Sequence, residues 1–335
     1  MPPSRRAALL ALAAPALLAA PTLLAARRAA AQPAGPPGWA PDRPVRVIVP
    51  FTPGGTIDVV VRVVQPVMAA ELGQPLVLEN RPGGSTIVGT QELIRSPADG
   101  HAMLMIANSF AANVTLRRSL PYDSFRDLAP VVQATVVPHV LVVHPELARD
   151  FAGFAAAGRR PGAGLSFGSY GIGTSNHLGA EQLSRAAGLN TTHVPYNGGP
   201  QAQTDLIGGR IQFMFANLPD VLQPVQLGQM RAVALSAEAR ARELPDVPTM
   251  RELGFPLVLS DSWFGAMLRA GTPPAARERL ERAWLAALAR PEVKGRLEEL
   301  GFAVLARPGA AFGAEIRRYA DTYAGVIRDA GIRVE

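Results

Sequence analysis

The chain has 335 residues, no cysteine, and 33 basic against 27 acidic side chains, for a formal charge of +6. The absence of cysteine excludes disulfides, thiolate metal sites and a cysteine nucleophile. Four arginines and no acid fall in residues 1–31, so the remainder carries only +2, and its arginines are interspersed with Asp and Glu, which argues against a nucleic-acid-binding stripe.

In chain order, Arg5 and Arg6 precede an alanine- and leucine-rich stretch from Ala7 to Ala26, and Ala29-Ala30-Ala31 supplies small residues suited to signal peptidase. Residues 1–31 therefore read as an export signal peptide, by the Sec route or, given Ser4-Arg5-Arg6 with Leu9 and Leu10, the twin-arginine route. The expected location is the periplasm. A Pro/Gly-rich segment, 33–44, follows. Strands are predicted at 45–51, 76–79, 103–107, 140–143, 165–167, 211–215 and 231–235, each short and apolar as strands buried on both faces are. Helices are predicted from Thr56, as N-cap, to Gly73 with a kink at Pro66, from about Ser175 to Ala187, and after Gly198-Gly199-Pro200 as far as Gly208. Thr272-Pro273-Pro274 opens another. Phe312, Ile316, Tyr319, Tyr323 and Ile327 mark the buried stripe of a last one. The pattern is α/β with mostly parallel sheets, and roughly 300 mature residues favour two lobes over one core.

The run Val45 to Val64 carries the clearest functional signal, because its strand breaks at Pro53-Gly54-Gly55 directly into a helix. Such a turn leaves unpaired backbone N–H groups and the positive end of the helix dipole aimed at one spot, an anion site. A triphosphate P-loop would follow the glycines with lysine, yet the chain's only lysine is Lys294. A smaller anion such as a carboxylate remains, held by main-chain donors. Asn80 to Thr90, Ser166 to Glu181 and His193 to Phe215 repeat the strand, glycine turn and helix arrangement. In doubly wound sheets such loops face each other across a cleft.

The segments PFTPGG with Asp58, ENRPGG, ADGH, YDSFRDLAPV, FGSYGIGTSNHL, HVPYNGG, DLIGGRIQFMF, LPDVPTMRELGF and the final AGI run in order from about Val45 to Ile332. As a set they resemble the periplasmic solute receptors of tripartite tricarboxylate transporters, the Bug/TctC type. The resemblance implies a type II periplasmic binding protein that closes on a small carboxylate and delivers it to a two-component membrane permease, as a monomer and without chemistry or cofactor. Lobe 1 is expected to hold residues 41–137 and 265–335, lobe 2 residues 138–264, with crossings in Val136 to Val143 and Ser260 to Gly265. Position by position it implies ligand contacts at Thr52, Gly54, Gly55, Thr56 and Asp58 in the first lobe, and at Ser169, Gly173, Thr174, Ser175, Asn176 and His177 in the second. Asn108, Ser109 and Asn217 are placed to line the same cleft. The family often has an acid after Met-Phe, where this chain has Ala216, so a ligand without an amine is expected.

Enzymatic readings fail on residues. Gly171-Ile172-Gly173 has Asn176 where a Rossmann fingerprint has its third glycine, and Gly168-Ser169-Tyr170-Gly171 lacks the spacing of a nucleophile elbow. His101, His139, His144 and His193 show no metal-ligand spacing. A ligand-responsive sensor docking on a signalling partner would need the same cleft, and adjacent genes discriminate it from a transport receptor.

Overall fold

The structure, a computed structural model, describes residues 38–332 apart from 163 and 259; the expected signal peptide lies outside the described residues. The elements run β1 (Val45–Val49), α1 (Thr56–Leu72), β2 (Leu76–Asn80), α2 (Ile87–Arg95), β3 (Ala102–Ile106), α3 (Asn108–Leu116) and β4 (Leu128–Val143). They continue with α4 (Phe151–Arg159), β5 (Leu165–Ser169), α5 (Ser175–Ala187), β6 (Thr191–Pro195), α6 (Gly199–Ile207), β7 (Phe213–Asn217), α7 (Leu218–Gln226) and β8 (Arg231–Ser236). The chain closes with β9 (Asp261–Arg269), α8 (Pro274–Ala289), α9 (Pro291–Glu299), β10 (Ala303–Pro308) and α10 (Gly309–Ala330).

The strands follow the order β2-β1-β3-β9-β4-β7-β5-β6, with β10 and β8 also on β4. Strand β4 belongs to both halves: Leu128 to Pro138 pairs with β9, and His139 to Val143 pairs with β7 and β8. The sheets are mixed where the sequence predicts mostly parallel pairing. Strand β1 is parallel to β2 and β3, and β5 to β6 and β7, while every ladder made by β4 or β9 is antiparallel. The first part of β4, Leu128 to Pro138, escaped prediction because Gln133, Thr135 and two prolines interrupt its apolar run, although Gln133 and Thr135 are fully buried. Strand β10 alternates exposed and half-buried residues and shifts register between Val304 and Arg307, so its apolar signal is weak.

Alternation along each strand builds the cores. Val45, Val47 and Val49 pack with Val60, Val64, Leu280 and Trp284 on one face of the first half, and Ile48 packs with Leu104, Trp263 and Phe312 on the other. In the second half, Phe213 and Phe215 meet Phe154 and Phe167, while Met214 and Ala216 meet Val140, Val142 and Leu206. The predicted stripe of α10 joins these cores, with Phe312, Ile316 and Ile327 buried. Helix α1 ends as predicted, at Gly73 in the left-handed conformation (φ 73°), but Gly55 rather than Thr56 is its N-cap and it runs on through Pro66.

Candidate functional site

Five helices begin on one cavity of about 30 Å³ lined by residues of both halves, among them Gly55, Thr56, Asn108, Ser109, Thr174, Ser175, Gly199 and Asn217. The helices are α1, α3, α5, α6 and α7. Only α5 has a capping side chain, that of Thr174; the N-caps Gly55, Ala107, Gly198 and Asn217 supply none. Uncapped first turns keep N–H donors unpaired, and the summed dipoles make the cavity favourable for negative charge without a fixed cation. The volume is that of about two waters, enough for a carboxylate-sized group.

Of the residues expected at the site, Thr52, Gly55, Thr56, Asp58, Asn108, Ser109, Thr174, Ser175, Asn176 and Asn217 line this cavity. Three carry buried polar atoms with no hydrogen-bond partner among the described residues: Thr52 Oγ1, Ser109 Oγ and Asn217 Oδ1. Others are committed to the wall itself. Asp58 accepts from Gly54 N at 3.1 Å and from Asn80 Nδ2 at 2.9 Å, which holds the glycine turn onto the helix start. Asn108 Oδ1 accepts from Trp263 N at 2.9 Å, and Nδ2 donates to Asp261 O at 3.1 Å, tying α3 to β9. Asn176 donates to Phe215 O at 3.1 Å, and Ser175 Oγ lies 3.1 Å from Ser262 Oγ.

Four expected residues stand away from the cavity. Gly54 lies at φ 81°, the left-handed region that glycine tolerates, with its N–H turned to Asp58. Ser169 Oγ faces His193 Nε2 at 2.6 Å, inside the second half. Gly173 N–H donates to His177 Nδ1 at 3.1 Å. His177 stacks on His193 with centroids 3.9 Å apart, and burial pushes it down to about 3, so it is a neutral packing residue.

Sequence reasoning missed Tyr170 and Ser262 among the lining residues and, behind the wall, Asp220. Its Oδ2 accepts from Thr56 Oγ1 at 2.7 Å, Tyr170 OH at 2.7 Å and Asn217 Nδ2 at 3.2 Å, just behind the wall. Removal from water pushes its carboxyl above the usual range, against the pull of those three donors. Burial and the nearby Asp220 charge together raise the Tyr170 phenol well above its ordinary value. In sequence Asp220 reads as an ordinary acid in the first turn of a helix; its place at Asn217+3 is the only signal. Ala216, by contrast, is fully buried in the apolar cluster of Val140, Val142 and Leu206 and does not line the cavity. The inference of an amine-free ligand drawn from Ala216 therefore loses its basis.

Where β4 changes partners, His139 is fully buried, with Nδ1 2.7 Å from Ser260 Oγ and Nε2 2.9 Å from Ser262 Oγ. Burial pushes it down to about 3. Its ring is thus a neutral polar tie between the two strands that pass from one half to the other. Across the cleft the halves lie close: Thr52 N–H donates to Asn197 O at 3.4 Å, and a Cβ on Gly198 would sit 2.3 Å from Thr52 Oγ1.

Residues 60–315 match the family described as the tripartite tricarboxylate transporter family receptor, TctC. Protein BugT of Bordetella pertussis is 38% identical over 238 residues, 70% of this chain and 73% of its own length. The structure of the periplasmic binding protein BugD superimposes with a TM-score of 0.84 at 28% identity, over 88% of this chain and 100% of that one. R. palustris Rpa4515, solved with adipate, gives 0.83 at 29% identity, over 88% of this chain and 99% of its own. With this α/β periplasmic-binding-protein fold and these matches, the chain belongs to the TctC family of solute-binding receptors.

Proposed function

We propose that this receptor captures a small carboxylate between two closing lobes and hands it to the two-component membrane permease of a tripartite tricarboxylate-type transporter. The observation that carries the reading is the pair of unpartnered buried hydroxyls, Thr52 Oγ1 and Ser109 Oγ, on a cavity where four helix starts lack side-chain caps. Buried polar groups left without partners cost stability, about 1–3 kcal/mol each, unless a ligand supplies the missing hydrogen bonds. Two hydroxyls and several backbone N–H groups suit a carboxylate. The adipate-bound relative supports the same class.

In this reading the lobes comprise residues 41–137 with 265–335 and residues 138–264. They hinge where the chain crosses between them, in Val136 to Val143 and Ser260 to Gly265, and closure excludes water from the anion. The contacts of Thr56 with Asp220 and Asn217 then belong to the closed state. The protein acts in the periplasm as a monomer after loss of residues 1–31, and being a solute-binding receptor it performs no reaction.

Titration calorimetry against di- and tricarboxylates, aromatic acids and amino acids tests the ligand class. Binding confined to molecules without a carboxylate would overturn it.

A further inference from the structure

Three donors converge on one oxygen of Asp220. Its Oδ2 accepts from Thr56 Oγ1, Tyr170 OH and Asn217 Nδ2, and no cation pairs with it among the described residues. All three donors belong to residues that line the cavity, so the charge of Asp220 stands one side chain behind the place where an anion is expected. The lining residues include no basic side chain to offset a second negative charge. The other ionisable groups nearby do not relieve this conflict. Asp58, the one acid on the wall, is occupied by Gly54 N and Asn80 Nδ2 and faces Arg62 Nη2 at 3.6 Å. The Tyr170 phenol is held protonated, and buried His139 is neutral. Asp220 itself is the group that a proton can neutralise. Burial already holds its carboxyl above the usual range, and a second negative charge nearby favours the neutral form further.

The direction of each hydrogen bond decides what a proton there does. A carboxylate only accepts, so the single hydroxyl hydrogen of Thr56 is committed to Asp220, while Thr56 Oγ1 accepts from Asn217 Nδ2. In that state a lining threonine turns no hydrogen toward the cavity. A proton on Asp220 Oδ2 reverses the 2.7 Å bond: Asp220 donates to Thr56 Oγ1, and the threonine hydrogen turns to the cavity. Every group stays paired. Thr56 Oγ1 then accepts from Asp220 and Asn217 and donates to the ligand, and Asp220 Oδ2 keeps the hydrogen bond from Tyr170 OH.

Resting on the carboxylate reading above, we propose that ligand capture takes up one proton from water onto Asp220, which turns the Thr56 hydroxyl from the acid to the bound carboxylate. Asp220 is a positioning residue that acts through Thr56. The complex holds the proton more tightly than the free protein does. Affinity is therefore highest below the pH at which free Asp220 titrates and falls as pH rises through that of the complex.

The test is calorimetry on the whole mature protein with succinate, malate, adipate, citrate, benzoate and glutamate, continued with those that bind at pH 6.0, 7.0 and 8.0 in two buffers of different ionisation enthalpy. Wild type, Asp220→Asn and Tyr170→Phe are compared, so that the ionisation of the ligand itself cancels. The asparagine amide donates to Thr56 and accepts from Tyr170 as the neutral acid does, which fixes the hydroxyl in its ligand-facing direction. Wild type should take up as much as one proton per ligand more than Asp220→Asn, with affinity falling by up to about tenfold per pH unit where uptake is complete. Asp220→Asn should lose that pH dependence and bind more tightly than wild type at pH 8.0. Tyr170→Phe, which removes one donor to the charged form, should move the affinity profile toward higher pH and identifies the group if Asp220→Asn does not fold. Equal proton uptake in wild type and Asp220→Asn, weaker binding by a folded Asp220→Asn at pH 8.0, or an unshifted profile in Tyr170→Phe overturns the proposal while leaving the carboxylate reading standing. If the wild type binds none of the six acids, the carboxylate reading fails and this proposal falls with it.

Discussion

Thr56 Oγ1 lies 2.7 Å from Asp220 Oδ2, a hydrogen bond that joins the first residue of α1 to the first turn of α7 across the cleft. The same hydroxyl accepts from Asn217 Nδ2 at 2.5 Å, so one threonine ties the helix start of one half to two residues of the other. A bond from a hydroxyl to a carboxylate is worth about 1.5–3 kcal/mol. Thr56→Val keeps the shape and removes both bonds, so ligand affinity should fall about tenfold or more through loss of the closed state. Calorimetry alongside small-angle scattering checks this. Wild-type affinity in the variant would mean that the contact is incidental to closure.

Gly198 is one of two glycines, with Gly173, that bring the halves into their closest approach. A methyl group there would meet Thr52 Oγ1 at 2.3 Å and Thr52 N at 3.4 Å, both on the opposite half. Gly198→Ala should therefore hold the lobes apart while each core stays intact. At its φ of 159° an alanine is also strained, so the expected result is a modestly lowered melting temperature with a cooperative transition, a larger radius of gyration at saturating ligand than wild type shows, and binding weakened by about tenfold or more. Contraction equal to wild type would refute the steric argument.

Ser109 offers a way to separate a binding residue from a structural one. Its hydroxyl is buried without a partner, so Ser109→Ala removes an unsatisfied group and should leave the unliganded protein as stable or up to about 1 kcal/mol more stable. Ligand affinity should drop at the same time, by about tenfold. Destabilisation of the unliganded protein would show that the hydroxyl serves the fold instead.

Much of this arrangement is legible in the residues. Glycine punctuation after apolar runs marks the starts of α1, α5 and α6, and the aromatic stripe of α10 marks its buried face, because both signals depend on neighbours in sequence. What stays hidden depends on distant partners. Gln133 and Thr135 sit in β4 because β9 and β10 cover them, and no local property of those residues says so. His177 has the composition of a ligand-binding residue, but Gly173, His193 and Phe167 absorb it. Asp220 shows the converse. An acid in a helix's first turn reads as a solvated dipole partner, and only the approach of Thr56, 164 positions earlier, makes it part of the cleft.

Ala216 tests the same distinction experimentally. It lies on the apolar face shared with Val140 and Leu206, so Ala216→Asp places a carboxylate where no donor waits. The cost should be several kcal/mol, seen as a large fall in melting temperature or as failure to fold. A stable variant with altered preference between diacids and amino acids would instead restore this position to the ligand site.

The stacked pair His177 and His193 predicts how stability responds to acid. Burial, with some help from His193, pushes His177 down to about 3, and burial pushes His193 down to about 4. In the unfolded chain a histidine titrates near 6.5, so below that pH the unfolded state binds more protons than the folded one. The stabilisation from keeping both rings neutral is therefore complete above about pH 6.5. It declines as pH falls toward 4 and then 3, by up to about 1.4 kcal/mol per pH unit for each ring. Buried His139, pushed down to about 3, acts with the same sign, whereas Asp220 and Asp261, pushed up by burial, act with the opposite one. The net slope of the wild type is thus a sum, and the contribution of one ring is isolated by comparison with His193→Gln. Urea unfolding at pH 7.5 and pH 5.0 should show the wild type losing about 2 kcal/mol more than the variant between the two conditions. Equal losses in the two proteins would show that His193 is not kept neutral by its surroundings.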